Sequence, residues 1–278
     1  MLSNVTFGQY YPVSSPVHRM DPRVKILLSI LFIVAVFFVK TYSGYGVLFV
    51  LLLMSIIVAR VKITAILKSI KALIFLIVFT AILNLLFTKT GNIVWEWWII
   101  KITDDGIRLT IMMALRLLFL IMSTSILTLT TTPIELTDGI ESLLTPLKLI
   151  RFPVHDLAII MSIALRFVPT LMEETDKIIM AQKSRGADFE SGNIFKRIRA
   201  LVPVIIPLFV SAFRRAEELS YAMDARCYNA SKKRTRYRKM SIHFRDIAAS
   251  FIYIAFFVGV LTLSYQWFNV NSVWWLVA

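Results

Sequence analysis

Five long apolar runs constrain this chain more than any motif does. Val24 to Val39, Gly44 to Ala59, Ala72 to Phe87, Ile107 to Thr130 and Ile247 to Phe268 each hold no more than two charged residues. The whole chain is 58% hydrophobic and 17% charged, against roughly 45–50% and about 25% in soluble domains. One water-soluble core would not cover that excess. The sequence therefore predicts an all-α integral membrane protein with about five transmembrane helices. The first two runs, at 16 residues each, fall below the usual ~20 for a perpendicular span. Flanking Lys and the interfacial aromatics Tyr42 and Tyr45 extend them into a helical hairpin, with a re-entrant hairpin as the alternative.

Between runs three and four lies the irregular KTGNIVWEWWIIKITDDG. Its Trp95, Trp97 and Trp98 suit a membrane interface, and Ile99 to Thr103 reads as a short extended piece. Residues 60 to 71 read as a basic link. The first 23 residues are polar and contain Pro, unlike a cleavable signal peptide, so the first run is expected to be retained.

The net charge of +14 would suggest a nucleic-acid partner on a soluble domain. Here the cations flank apolar runs, as in cytoplasmic loops of membrane proteins, so nucleic acid is not the expected partner. With five spans and a cytoplasmic N-terminus, the outside segments hold only Lys40, Lys89, Lys101 and Arg108, and Arg116 lies within run four. Discounting the long 132–246 segment, the balance is still seven inside to four outside. The expected location is the cell membrane, multi-pass, with the N-terminus and residues 132–245 cytoplasmic. The single cysteine, Cys227, allows no internal disulfide, and with His18, His155 and His243 scattered it makes no usual zinc site.

The organisation expected is 1–131 (an N-terminal cytoplasmic segment and four membrane helices), 132–245 (cytoplasmic coupling helices, long and amphipathic) and 246–278 (a last membrane helix). Thr132-Pro133-Ile134-Glu135 marks a helix start, running to about Leu144. A second helix is expected from about His155 to Ala187, closed by Gly186. A third runs from about Ile194 to Cys227, kinked near Pro203 and Pro207. Both suit a place along the membrane face. Lys232 to Lys239 is mostly basic, as beside anionic headgroups.

The two long helices end alike. Ala181-Gln182-Lys183-Ser184-Arg185-Gly186 and Ala222-Met223-Asp224-Ala225-Arg226-Cys227 share Ala-x-x-small-Arg-small, 41 residues apart. Small neighbours leave each guanidinium uncrowded, able to meet a carboxylate bidentately as Lys does not. An Arg complementing its own helix dipole, worth about 0.3–1 kcal/mol, is the simpler explanation of either one alone. It explains neither the repeated small neighbours nor the repeated Ala.

Asp21, before Pro22, is expected to cap the first membrane helix. Arg116 in run four needs a partner or a watery cavity, or else marks a helix start that snorkels outward. No Gly-x-x-x-x-Gly-Lys-Ser/Thr, Gly-x-Ser-x-Gly or His-Glu-x-x-His occurs. Acidic residues are missing from the runs, which argues against a proton-relay pump.

Taken together, SPVHRMDPRVK before the first run, the apolar segments and the tips SRG (184–186) and ARC (225–227) resemble the T component of energy-coupling factor (ECF) ABC transporters. That group includes the transmembrane protein of cobalt uptake systems. The resemblance covers nearly the whole chain, and Cys227 stands where the family most often has Gly. It implies a non-catalytic permease subunit. Arg185 would dock, flanked by Ala181, Ser184 and Gly186, into one ABC-type ATPase. Arg226 would dock, with Ala222, Ala225 and Cys227, into a second. ATP and Mg would be bound by those partners and no cofactor by this chain. A small membrane S component, carrying a vitamin or other micronutrient or a metal ion, would sit on its apolar platform. Met161, Met172, Met180 and Met223 offer adaptable contacts for it, or simply fill packing gaps. Two rivals remain: a self-sufficient secondary transporter or channel, and a membrane-bound lipid enzyme using His18, Asp21 or His155 as its base.

Overall fold

The computed structural model describes residues 10–39, 41–97, 100–146, 153–189, 193–228 and 240–274. Their α-helices are α1 (Pro22–Phe38), α2 (Tyr42–Ala59), α3 (Ile63–Phe87), α4 (Asp104–Thr130), α5 (Pro133–Leu143), α6 (Val154–Ser184), α7 (Ile194–Ala225) and α8 (Phe244–Trp274). Strands β1 (Ile93–Trp97) and β2 (Ile100–Thr103) lie between α3 and α4. The chain clusters into two compact units, residues 8–150 with 240–278, and residues 151–239. The boundaries fall at 150 and 240, so α5 belongs with the first unit.

In the first unit α1 packs on α4, α5 and α8, and α2 on α4 and α8. Val36, Leu48, Leu52, Ala59, Phe119 and Val260 form the core, each at most 3% exposed. Gly44 lets α2 close onto α1, since a Cβ there would come within 3.0 Å of Val39. The outer faces are apolar: Ile57 is 72% exposed, Phe75 78% and Phe251 76%. Water would not tolerate such continuous bands, and lipid favours them. Among the described residues three helices are long and apolar enough to cross a membrane, Tyr42–Ala59, Asp104–Thr130 and Phe244–Ser264. Counting the bent pair Ile63–Lys71 and Leu73–Phe87 of α3 as one span brings the number to four. At 17 residues, about 25 Å, α1 is short for a perpendicular crossing.

Three details depart from expectation. The supposed basic link, residues 60 to 71, is already helix from Ile63, and Ile63–Lys71 meets Leu73–Phe87 at 53°. Lys68 and Lys71 lie before the bend and Leu73–Phe87 carries no charge, so the charges mark a bend rather than a linker. The extended piece is half of an antiparallel hairpin in which Trp97 faces Ile100. The Trp cluster read as an interface signal is strand IVWEW, and Trp98 and Ile99 lie outside the described residues. Finally, α4 begins at Asp104, because the Thr103 hydroxyl accepts from the Gly106 amide at 3.2 Å and two acids occupy the first turn.

The SPVHRMDPRVK segment ties helix ends together. Asp21 caps α1, as expected, accepting from the Arg23 amide at 2.9 Å. Asp246, 1% exposed, accepts from the backbone amides of Asp21 (3.2 Å) and His243 (2.8 Å), stapling the starts of α1 and α8. Lys25 Nζ donates to the carbonyls of His18 (3.1 Å) and Thr130 (3.0 Å). The helix after Thr132 has the reciprocal cap that its sequence announces: the Thr132 hydroxyl meets the Glu135 amide and the Glu135 carboxylate the Thr132 amide.

In the second unit α6 and α7 pack on each other. Glu174 is the clasp: its Oε2 accepts from Arg215 Nη2 at 3.0 Å and its Oε1 from the Ser211 hydroxyl. The Ser211 hydroxyl first, then Arg215, holds the Glu174 carboxyl below its ordinary value. Pro169 in α6 and Pro203 and Pro207 in α7 are accommodated inside the helices.

Candidate functional site

Both tips are built by the same backbone device. At the end of α6 the Gly186 amide donates to the Lys183 carbonyl (3.0 Å) and the Ala187 amide to Gln182 (3.0 Å). At the end of α7 the Cys227 amide donates to Asp224 (2.9 Å) and the Tyr228 amide to Met223 (2.9 Å). Each pair is a Schellman closure. It places Arg185 and Arg226 at the equivalent last position and puts the next residue in the left-handed region, Gly186 at φ 88° and Cys227 at φ 51°. The small residue after each Arg is thus first a backbone requirement, where the sequence alone suggested only room for the guanidinium.

That requirement yields a prediction. A Cβ at Gly186 would meet nothing within 4 Å, so Gly186→Ala should weaken the α6 end through backbone strain alone, by about 1 kcal/mol. Cys227→Gly should strengthen the α7 end by a similar amount. Amide exchange of residues 185–187 and 226–228 measures both, and equal protection in variant and parent would refute the assignment.

The docking candidates all lie on the surface: Ala181, Ser184, Arg185 and Gly186 on one tip, Ala222, Ala225, Arg226 and Cys227 on the other. Among the described residues neither Arg185 nor Arg226 has a side-chain partner, although α7 carries Asp224 two residues before Arg226. Both guanidinia are available to another molecule. The clasp relates the tips geometrically. Glu174 and Arg215 are 41 residues apart, the same offset as Arg185 and Arg226, so the helices touch at equivalent positions of the repeat. Each Arg lies 11 residues beyond its own side of the clasp, about 16 Å along the helix. Two equal arms therefore extend from one fixed point.

The methionines divide. Met161 is 49% exposed and Met180 60%, whereas Met172 and Met223 are half-buried. The larger apolar surface is one that the methionine pattern missed. On α7, Phe195 (81%), Ile198 (57%), Val202 (45%), Ile206 (59%), Phe209 (60%) and Phe213 (70%) recur every three or four residues. Phe209 and Phe213 lie ring to ring at 6.3 Å. This 3.6-residue period was present in the sequence. It runs unbroken past Pro203 and Pro207, where the sequence predicts a kink.

Other candidates are already engaged. The His18 Nδ1 lies 2.7 Å from the Ser15 hydroxyl and Nε2 3.0 Å from the Tyr11 carbonyl, and burial holds its pKa below the ordinary value. Asp21 serves α1, and the His155 side chain lies outside the described ones. Among the described residues no three His, Cys, Asp or Glu gather as metal ligands would. Between α1, α2, α4 and α8 an apolar cavity of about 280 Å³ is lined by Leu28, Leu51 and Ile126, among others. Its Lys25 is bound to two carbonyls, and its Ser55 lies 2.8 Å from the Tyr253 hydroxyl.

Comparison with known proteins matches residues 13–237 to the cobalt transport protein family CbiQ. The chain is 46% identical to the energy-coupling factor transporter transmembrane protein EcfT of Ruminiclostridium cellulolyticum over 268 residues, covering 96% of this chain and all of that one. It is 49% identical to the EcfT of Clostridium kluyveri over 251 residues, 90% of this chain and 93% of the other. With that of Bacillus subtilis it shares 46% over 240 residues, 86% and 91% respectively.

Proposed function

The chain belongs to the CbiQ cobalt transport protein family, alongside the transmembrane proteins of energy-coupling factor transporters, and from that premise we propose that it is the connector of an ATP-driven importer. Its tips dock into two ABC-type ATPases, which bind ATP and Mg. Its apolar surfaces hold a small membrane S component that binds the vitamin, other micronutrient or metal ion. The N-terminus, α6 and α7 face the cytoplasm. The chain itself catalyses no reaction.

The observation that carries this reading is the matched pair of guanidinia, unpartnered among the described residues, each on a Schellman-closed helix end and each 11 residues from the Glu174–Arg215 clasp. When ATP draws two ATPases together, such arms move with them. The clasp makes α6 and α7 respond as a linked pair, and the exposed face of α7 carries the displacement to whatever rests on it. A single helix end needing only a cation for its dipole would not require this repetition.

The test is purification of the tagged chain from its native membranes in mild detergent. Two ABC-type ATPases and a small hydrophobic membrane protein are expected with it, and reconstituted uptake should need all of them with ATP. Solute transport by the purified chain alone would overturn the reading.

A further inference from the structure

Arg116 is the thirteenth residue of the 27-residue α4, about 18 Å from the start of the helix and about 21 Å from its end. In a bilayer whose hydrocarbon core is about 30 Å thick, that places its backbone near the midplane. What it touches there is apolar. Its guanidinium lies 5.6 Å from the centre of the Phe37 ring, and Nη1 lies 3.8 Å from the Met113 sulfur. Nε is buried without a hydrogen-bond partner, and among the described residues no carboxylate pairs with it. A cation over a ring offsets only part of the cost of a charge at that depth.

The side chain stays half-buried on a stripe of α4 that remains open, with Leu109 42% and Met113 38% exposed and Thr124 exposed one turn beyond Leu120. We propose that this stripe receives a transmembrane helix of the small substrate-binding subunit, and that an Asp or Glu at mid-membrane on that helix pairs with Arg116. The inference rests on the connector reading above.

Charge complementarity and depth select this occupant. Phospholipid phosphates lie beyond the hydrocarbon edge, more than about 15 Å from the midplane, and an Arg so far from either helix end is not placed to snorkel to them. A second copy supplies no acid at that level, because the carboxylates of the membrane helices sit at their starts: Asp104 and Asp105 in α4, Asp246 in α8. Arg also suits the task, since its fork binds a carboxylate in two places and is less strongly hydrated than an ammonium.

The complete complex, purified from membranes, provides the test. Arg116→Gln is expected to lower the affinity for the small membrane subunit roughly thirtyfold or more, while the ATPases, held at the tips, stay at parent stoichiometry. Arg116→Lys should fall between. With Arg116 intact, a photoreactive residue at Met113 should crosslink to one helix of the small subunit. Neutralising the acid on that helix should reproduce the loss, and exchanging the two charges should restore binding. Parent-level retention of the subunit by Arg116→Gln, a crosslinked helix without an acid, or rapid alkylation of Arg116→Cys, combined with Cys227→Ser, by a membrane-impermeant maleimide would overturn the proposal. If Arg116→Gln destabilises the chain, the crosslink and the partner's neutralised acid still decide. Should the unaltered chain bring down no such subunit, the connector reading fails instead.

Discussion

Replacing Arg185 and Arg226 together by alanine is expected to release both ATPases. Removing one member of a desolvated charge pair costs about 2–5 kcal/mol, because the opposite charge is left buried and unpaired. For the two ATPases bound as a pair, the two tips together therefore lose at least about 4 kcal/mol, roughly a thousandfold in affinity. The single variants should each lose roughly thirtyfold or more. Folding should be unaffected, since the Schellman bonds use backbone groups and neither guanidinium has a partner among the described residues. Co-purified ATPase per membrane chain is the readout, with helix content and monodispersity as controls. Undiminished association and ATP-driven uptake in the double variant would remove the tips from the mechanism.

The second large effect should fall on the opposite partner. Phe209→Asp with Phe213→Asp puts two carboxylates into the exposed face of α7. If an apolar surface of the substrate-binding subunit rests there, each charge must be desolvated without a partner, at several kcal/mol. The small subunit should then be lost while both ATPases remain, the reverse of the arginine result. Met161→Ala with Met180→Ala, which removes adaptable contacts without adding charge, should cost much less. Retention of the small subunit at parent level by the Asp variant would show that α7 is not its platform.

Much of this was legible in the chain because the relevant signals are local. The start of α5 followed from Thr132, Pro133 and Glu135, and the observed helix Pro133–Leu143 lies within a residue of expectation at its end. The long helices followed from period and from Gly186, ending at Ser184 and Ala225. The docking roles proposed for Arg185 and Arg226 come from the family resemblance, since no local rule supplies them.

What escaped depended on pairing or on solvent. Half of the β1–β2 hairpin was legible as the extended Ile99 to Thr103, whereas Ile93–Trp97 becomes a strand only through its pairing with it. Ile63–Lys71 looked like a link because Lys68 and Lys71 are polar, yet a helix that bends by 53° can keep both lysines and still enter lipid. The left-handed backbone at Cys227 was obscured because Cys seldom stands there. The Lys232 to Lys239 stretch lies outside the described residues.

The shortest route to the central claim starts from Cys227, the chain's single cysteine and an exposed one. In the intact complex, a photoactivatable maleimide attached there should crosslink to one ATPase. The same reagent on Ser184→Cys, combined with Cys227→Ser, should crosslink to the other. Adducts confined to the chain itself, or none at all from either tip while the complex stays assembled, would contradict it.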